Sequence, residues 1–369
     1  MKYKVLLLRS QDIISDSRVL RWEHWFVKKN ISYEIVGWDR KNTGIQRVNT
    51  QYYRAVAGFQ QRVKGIKARV KWNIFLLKYL LRHKNDYKII HACDFDTVLP
   101  ALCMKVFGKI VVFDIFDWFS DEVKTGKIFI DKTINLLERF AVSFSDLVII
   151  CETGRLRQIG IIPKRYIVIP NIPNFSASIK FLNDDKKAPM ESIRISYVGG
   201  LVKDRGIEEL IQTAEFMPHI HIDIAGFGDE KIVNYVTHMA KVCQNIHFYG
   251  KVEYREALEI MNQADILYGM YYTSNSNHVF AAPNKFYESL FLKKPLLTNK
   301  GTMVGSMVTE CHSGWAIDEG KAALIKFLKG LTRAQISSVR ISDKMLNFIE
   351  EENINEHRKY ETFIHEVCN

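Results

Sequence analysis

Short apolar runs alternate with helical patterns along most of the chain. Residues 5–8 read as a first buried strand, followed by a helix over 17–29 and a strand at 33–36. The spacing then predicts a long helix over 61–84, a strand at 88–91, a helix over 100–106 and a strand at 110–113. A helix over 132–144, a strand at 147–150 and another at 167–169 complete this half. Continuous apolar strands between helices predict a parallel sheet covered on both faces. The pattern breaks at Pro170-Asn171-Ile172-Pro173-Asn174, and the polar, charged residues after it read as a linker over 175–190. It restarts with strands at 193–198, 221–225, 246–249, 266–270 and 295–298, separated by helices at 207–216, 230–242, 255–263 and one opening at Pro283. The expected fold class is α/β, with two doubly wound Rossmann-like domains facing a central cleft. The boundaries are 1–174, a linker over 175–190, and 191–342. A polar final helix, about 343–369, is expected to pack back on the first domain.

Composition narrows this only a little. A chain of 369 residues with 47% hydrophobic and 25% charged residues suits two globular domains. No apolar stretch approaches the roughly 18 residues of a spanning helix. The run after Met1 is too short for a signal peptide, so a cytoplasmic protein is expected. The six cysteines (93, 103, 151, 243, 311, 368) form no C-x-x-C pair and read as buried small hydrophobes, with no metal site expected. The net charge of +11 favours an anionic partner. Much of it lies in 61–84, which holds Arg62, Lys64, Lys67, Arg69, Lys71, Lys78, Arg82 and Lys84 and no acid. Val63, Ile66, Val70, Ile74, Leu77 and Leu81 give that helix an apolar face. Such a helix either lies on an anionic membrane or packs on a core with its basic face in water. No nucleic-acid module is present, so nucleic acid is not expected as a partner.

Three stretches carry candidate chemistry. In A-A-P-N-K-F-Y-E-S-L-F (281–291), Pro283 suits a first helical turn. The amides of Asn284, Lys285 and Phe286 would then face out of the helix start, where they favour an anion. Glu288 sits near that end, within reach of a neutral hydroxyl pair. The same pattern is also met by a plain helix start with a dipole-favoured acid. In Y-V-G-G-L-V-K-D-R-G-I-E-E-L-I (197–211), Gly199 and Gly200 allow close backbone approach to a ligand, and Lys203 or Arg205 follows to reach a phosphate. Ordinary turn glycines and a solvated loop charge would look alike. In I-D-I-A-G-F-G-D-E-K (222–231), Gly226 opens a G-x-G, but Lys231 stands where a dinucleotide fingerprint wants a third glycine.

In order and spacing these pieces, with I-H-F-Y-G-K-V, A-D-I-L-Y and A-P-N-K-F-Y-E-S-L-F-L-K-K-P-L-L, resemble the donor domain of family 4 glycosyltransferases of the GT-B fold. S-D-S-R-V-L-R-W-E (15–23), I-I-H-A-C-D-F-D-T-V-L-P-A-L (89–102), V-V-F-D-I-F-D-W-F-S-D (111–121) and V-I-P-N (168–171) resemble its acceptor half. The resemblance implies a nucleotide-diphosphate sugar donor, transfer with retention at the anomeric carbon, and neither a cofactor nor an obligatory metal. It implies that Glu288 holds the ribose hydroxyls, that the backbone of Asn284, Lys285 and Phe286 meets the diphosphate, and that Arg205 neutralises it. Lys251 and Val252 would lie beside the base, and Asp16 and Arg18 on the acceptor side. Two departures stand out. Phe280 replaces the first acid of the family's frequent acid pair, and Phe116-Asp117 replaces its frequent His-Glu, leaving Asp117 as the polar candidate there. Gly200 likewise stands where a second basic phosphate contact is common. The expected function is a retaining glycosyltransferase acting on a lipid-linked saccharide in surface polysaccharide biosynthesis, peripheral on the inner membrane face through 61–84. The alternatives are a nucleotide-sugar epimerase of the same fold and a non-catalytic sugar-binding protein.

Overall fold

The computed structural model describes residues 4–11, 13–14, 16–56, 62–173 and 192–368. The linker expected over 175–190 therefore lies outside the described residues, as do the side chains at 62–66. The chain divides into two compact units, Met1–Asn171 with Glu351–Asn369, and Ile172–Glu350.

The first unit is built on a parallel seven-stranded sheet ordered β3-β2-β1-β4-β5-β6-β7. Its strands are β1 (Lys4–Arg9), β2 (Ser32–Asp39), β3 (Thr50–Arg54), β4 (Ile89–Cys93), β5 (Ile110–Ile115), β6 (Leu147–Ile150) and β7 (Tyr166–Val168). Successive side chains of a strand face opposite ways, so a strand covered on both sides is apolar throughout. In β1, Leu6 and Leu8 enter one core with Trp72 and Leu76 of the Arg62–Arg82 helix, Val98 of the Phe95–Cys103 helix, and Ala141 and Val142 of the Ile128–Phe144 helix. Val5 and Leu7 enter the other, with Trp22 and Phe26 of the Ser17–Lys28 helix and Tyr360 and Phe363 near the chain end.

The helix expected to start at Pro100 instead begins at Phe95, with Pro100 inside it. A proline there cannot donate to the carbonyl four residues back, which belongs to Asp96. Trp72 Nε1 and Asn73 Nδ2 donate to that carbonyl at 3.1 and 3.2 Å, so the helix passes through proline with its acceptor satisfied.

The second unit carries a parallel six-stranded sheet ordered β10-β9-β8-β11-β12-β13. These are β8 (Ile193–Leu201), β9 (Ile220–Gly228), β10 (Ile246–Gly250), β11 (Ile266–Tyr268), β12 (Leu296–Asn299) and β13 (Gly314–Ile317). β3 and β13 were not expected from the sequence. Both are half-exposed edge strands; β3 (TQYYR) has no apolar run, and that of β13 is only Trp315-Ala316-Ile317. The terminal helix runs from Asp343 to Cys368, but only its part from Glu351 belongs to the first unit. Met345, Leu346 and Ile349 pack on a second-unit core instead. Of the cysteines, Cys93, Cys151 and Cys368 are buried as expected, while Cys103 is exposed. No described helix is long and apolar enough to cross a membrane.

Candidate functional site

In an open parallel sheet, a crevice forms where the strand order reverses, beyond the carboxyl ends of the two central strands. In the second unit these strands are β8 and β11. A cavity of about 380 Å³ lies there, lined by Tyr197 to Gly200 at the end of β8 and Gly269 to Tyr271 just past β11. The Asn284–Phe291 helix closes another side with Asn284, Lys285 and Glu288, and Arg205 and Tyr254 complete the chemistry.

Pro283 is the residue capping this helix rather than its first turn, with φ −74° and ψ 149°. No side chain caps the helix start. Of the three amides expected to face a ligand, that of Phe286 donates to the Pro283 carbonyl at 3.1 Å. The Phe286 ring is buried in a hydrophobic core away from the cavity. The cavity is thus met by the ends of Asn284 and Lys285, where the helix dipole favours negative charge.

Lys285 points inward. Its Nζ donates to the Val198 carbonyl and lies 5.2 Å from the Tyr197 ring centroid. Gly269 makes room for its stem, since a Cβ there would come within 2.7 Å of Lys285 Cδ. Burial lowers the Lys285 pKa to about 8, with the Glu288 charge opposing and the Arg205 charge adding to the shift. Glu288 is 7% exposed. The Tyr254 hydroxyl donates to its Oε1 at 3.2 Å. Burial raises the Glu288 pKa, against Lys285 and the Tyr254 hydrogen bond. The Arg205 guanidinium stacks 4.3 Å from the Tyr271 ring centroid and has no ion-pair partner among the described residues. Two cations and one acid therefore face a half-enclosed cavity, a surplus of positive charge matched to a bound anion.

Several other sequence candidates do not line this cavity. Gly226 lies inside β9, paired with Gly199, and its Cβ would meet the Gly199 carbonyl oxygen at 1.9 Å. Its lack of a side chain lets the two strands approach, and the strand runs on through Gly228 with no turn at the G-x-G. Lys203 is exposed in the loop after β8. Lys251 is exposed with its Nζ 5.3 Å from the Phe227 ring centroid, and Val252 follows it outside the lining. Tyr197, Tyr254 and Tyr271 were not anticipated; nothing in their spacing distinguishes them from core tyrosines.

In the first unit Asp16 caps the Ser17–Lys28 helix, accepting from the amides of Arg18 and Val19 at 3.1 Å each, and Arg9 Nε donates to it at 2.6 Å. Arg18 is buried, with Nη2 and Nε donating to the two Asp114 oxygens at 2.6 and 3.2 Å and Nη1 to Asn171 Oδ1 at 2.6 Å. The Phe116 ring is faced by two guanidinium groups, with Arg9 4.2 Å and Arg18 4.8 Å from its centroid. Asp117 is 57% exposed and 3.6 Å from Arg155 Nη2.

The unanticipated residue in this unit is Asp94, at the first sheet's strand reversal between β1 and β4. Its backbone, at φ 64° and ψ 169°, lies in a region nearly confined to glycine, at a cost of about 1–3 kcal/mol. Its carboxylate accepts from Arg9 and from the Phe116 amide at 2.9 Å, and burial pushes its pKa up to about 6 against the Arg9 charge. One described group has metal-ligand chemistry, His91, Cys93 and Asp114, with ligand atoms within 4.8 Å of one another. Both His91 nitrogens are engaged, with Tyr360 and Asp114, and Trp22 Nε1 also donates to Asp114 at 2.8 Å. His91 and Asp114 are thus held in one buried hydrogen-bonded cluster with Tyr360, Trp22 and Arg18.

The chain matches no protein-family model and no curated protein by sequence. Solved structures share its fold. Sucrose-phosphate synthase from Thermosynechococcus elongatus has a TM-score of 0.74 at 13% identity, covering 98% of this chain and 99% of that one. Anabaena HepE in complex with UDP has a TM-score of 0.68 at 12% identity, covering 98% and 100%. The lipopolysaccharide outer core galactosyltransferase WaaB, in its apo form, has a TM-score of 0.64 at 15% identity, covering 98% and 99%. Similarity over whole chain lengths at such low identity defines the fold. It is GT-B, with two Rossmann-like parallel sheets in one chain.

Proposed function

We propose that this chain is a glycosyltransferase that draws its sugar from a nucleoside-diphosphate donor held in the second-unit cavity. The observation that carries the reading is the convergence there of an uncapped helix start, Lys285, Arg205 and Glu288. The helix start and two cations suit a diphosphate, and a buried carboxylate suits the vicinal hydroxyls of a ribose. Proteins of this fold whose structures hold UDP, or that bear the name galactosyltransferase, support a donor of that kind. As the glycosidic bond loosens, the leaving diphosphate gains negative charge, and the fixed amides, Lys285 and Arg205 stabilise it without reorganising. The finer reading follows the sequence resemblance. Transfer proceeds with retention, no cofactor takes part, and the acceptor is a lipid-linked saccharide at the membrane face.

Titration calorimetry with UDP and GDP tests the donor site. Arg205→Ala and Glu288→Ala are expected to weaken the preferred nucleotide by about 10- to 100-fold, the loss of a charge-assisted contact. Unchanged affinity in both variants counts against the assignment. Turnover of nucleotide sugars with membrane lipid extract then separates the chemistries. Glycosylated lipid supports transfer, and isomerised donor without it identifies an epimerase.

A further inference from the structure

The Ile128–Phe144 helix is apolar on two sides. Its inner side enters the first-unit core through Ala141 and Val142. On its outer side Phe129 is 82% exposed, Leu136 69%, Phe140 45% and Phe144 52%. Their spacing of seven, four and four residues puts them on one stripe of the helix. The Phe140 and Phe144 rings stack with centroids 4.2 Å apart. A surface helix ordinarily turns polar residues outward, and a contiguous exposed apolar patch marks a contact surface.

The charges around the stripe are mostly positive, with Asp131 in the helix's first turn and Asp146, paired with Lys105 at 2.6 Å, as the acids beside it. Lys124, Lys127 and Lys132 are exposed at its first end. At its last end Lys105 Nζ donates to the Phe144 carbonyl at 3.0 Å. Outward positions 128, 129, 132, 133, 136, 137, 140, 143 and 144 read I, F, K, T, L, L, F, S and F, with no acid. The Arg62–Arg82 helix packs on the same sheet face and repeats the arrangement, with Val70, Ile74 and Leu81 exposed beside exposed Lys67, Lys71 and Lys78.

We propose that this face docks flat on an anionic lipid bilayer. Phe129, Leu136, Phe140 and Phe144 enter the headgroup boundary, and the lysines meet lipid phosphates. The proposal deepens the membrane part of the reading above and rests on it for its purpose, while the surface stands on exposure and charge alone. It moves the principal apolar contact from residues 61–84 to the Ile128–Phe144 helix. Charge selects the bilayer over a second copy of the chain: with Lys124, Lys127, Lys132, Lys67, Lys71 and Lys78 exposed against Asp131 and Asp146, the face is net positive and so would be its copy.

Flotation with vesicles tests it, and UDP calorimetry on the same proteins reports the donor site separately. The wild-type chain is expected to float with phosphatidylcholine vesicles containing phosphatidylglycerol, less so at high salt, and not with phosphatidylcholine alone. Phe129→Ser combined with Leu136→Ser and Phe140→Ser should cut that binding at least about tenfold, with UDP affinity unchanged. The exposed set Lys124→Ala, Lys127→Ala and Lys132→Ala leaves the core untouched and should remove the salt-sensitive part. Wild-type flotation in both variants overturns the proposal. So does a wild-type chain that ignores vesicles and forms a dimer that Leu136→Ser dissociates. Loss of UDP binding with flotation intact would strike at the donor reading instead.

Discussion

Lys285 joins the donor reading to a measurable pH dependence. Its pKa, near 8 in the folded chain, lies below its ordinary value of 10.5. Between those values the unfolded chain binds more protons, so the cost of burying this cation is present below pH 8 and relieved as pH rises toward 10.5. A bound diphosphate acts the other way, because it favours the charged amine. Nucleotide affinity is therefore expected to be level below pH 8 and to fall above it, by up to about tenfold per unit. Glu288, Arg205 and Tyr197 face the same amine, and Arg205 keeps its charge throughout. Calorimetry across pH 6 to 10 should show the break in the wild type and not in Lys285→Met, which binds more weakly at every pH. A flat wild-type profile would mean that Lys285 does not face the phosphates. At this scale the sequence named Lys285, Glu288 and Arg205, because a helix start and a strand end are locally encoded. It could not distinguish Asp94 from Asp96, because the backbone angles of Asp94 and its contacts with Arg9 and the Phe116 amide arise only in the fold.

Among the elements, buried strands were the most legible, since a strand covered on both faces must be apolar throughout. Edge strand β3 was missed for the converse reason, and β13 because its apolar run is only three residues long. The Phe95–Cys103 helix was misplaced because Pro100 signals a helix start, and only a neighbouring helix supplies the donors that satisfy the Asp96 carbonyl. Arg18 shows the same limit. Its neighbourhood resembles an acceptor loop, yet it joins the Ser17–Lys28 helix to β5 through a buried bidentate pair with Asp114. Burial alone would raise the Asp114 pKa, but Arg18 and His91 hold it well below the usual carboxylate range. The stability this carboxylate contributes is present above its unfolded pKa and lost as pH falls through the folded one. Arg18→Met strands that charge, and a loss of about 3–5 kcal/mol is expected in urea unfolding. A loss under about 1 kcal/mol, the size of an exposed pair, would return Arg18 to the acceptor side as a ligand contact rather than a brace.

Across the whole molecule, the two units differ in what a nucleotide should do to them. Each has its own sheet and cores, and the proposed donor cavity is lined wholly by residues of the second. A ligand that binds only folded protein raises stability by RT ln(1 + [L]/Kd), about 2.7 kcal/mol at a hundredfold excess over Kd. Two domains need not unfold in one step. Scanning calorimetry is therefore expected to show two transitions, with UDP shifting the one that reports residues 172–350. At the same ligand concentration Arg205→Ala should remove about half of that shift or more and leave both transitions in place without ligand. Phe129→Ser with Leu136→Ser should leave the UDP shift intact, because the helix it alters belongs to the other unit. A single transition moved as a whole would mean that the terminal helix, which begins in one unit and ends in the other, couples both into one cooperative body. A UDP shift confined to the first-unit transition would place the nucleotide away from the Asn284–Phe291 helix and end the donor assignment.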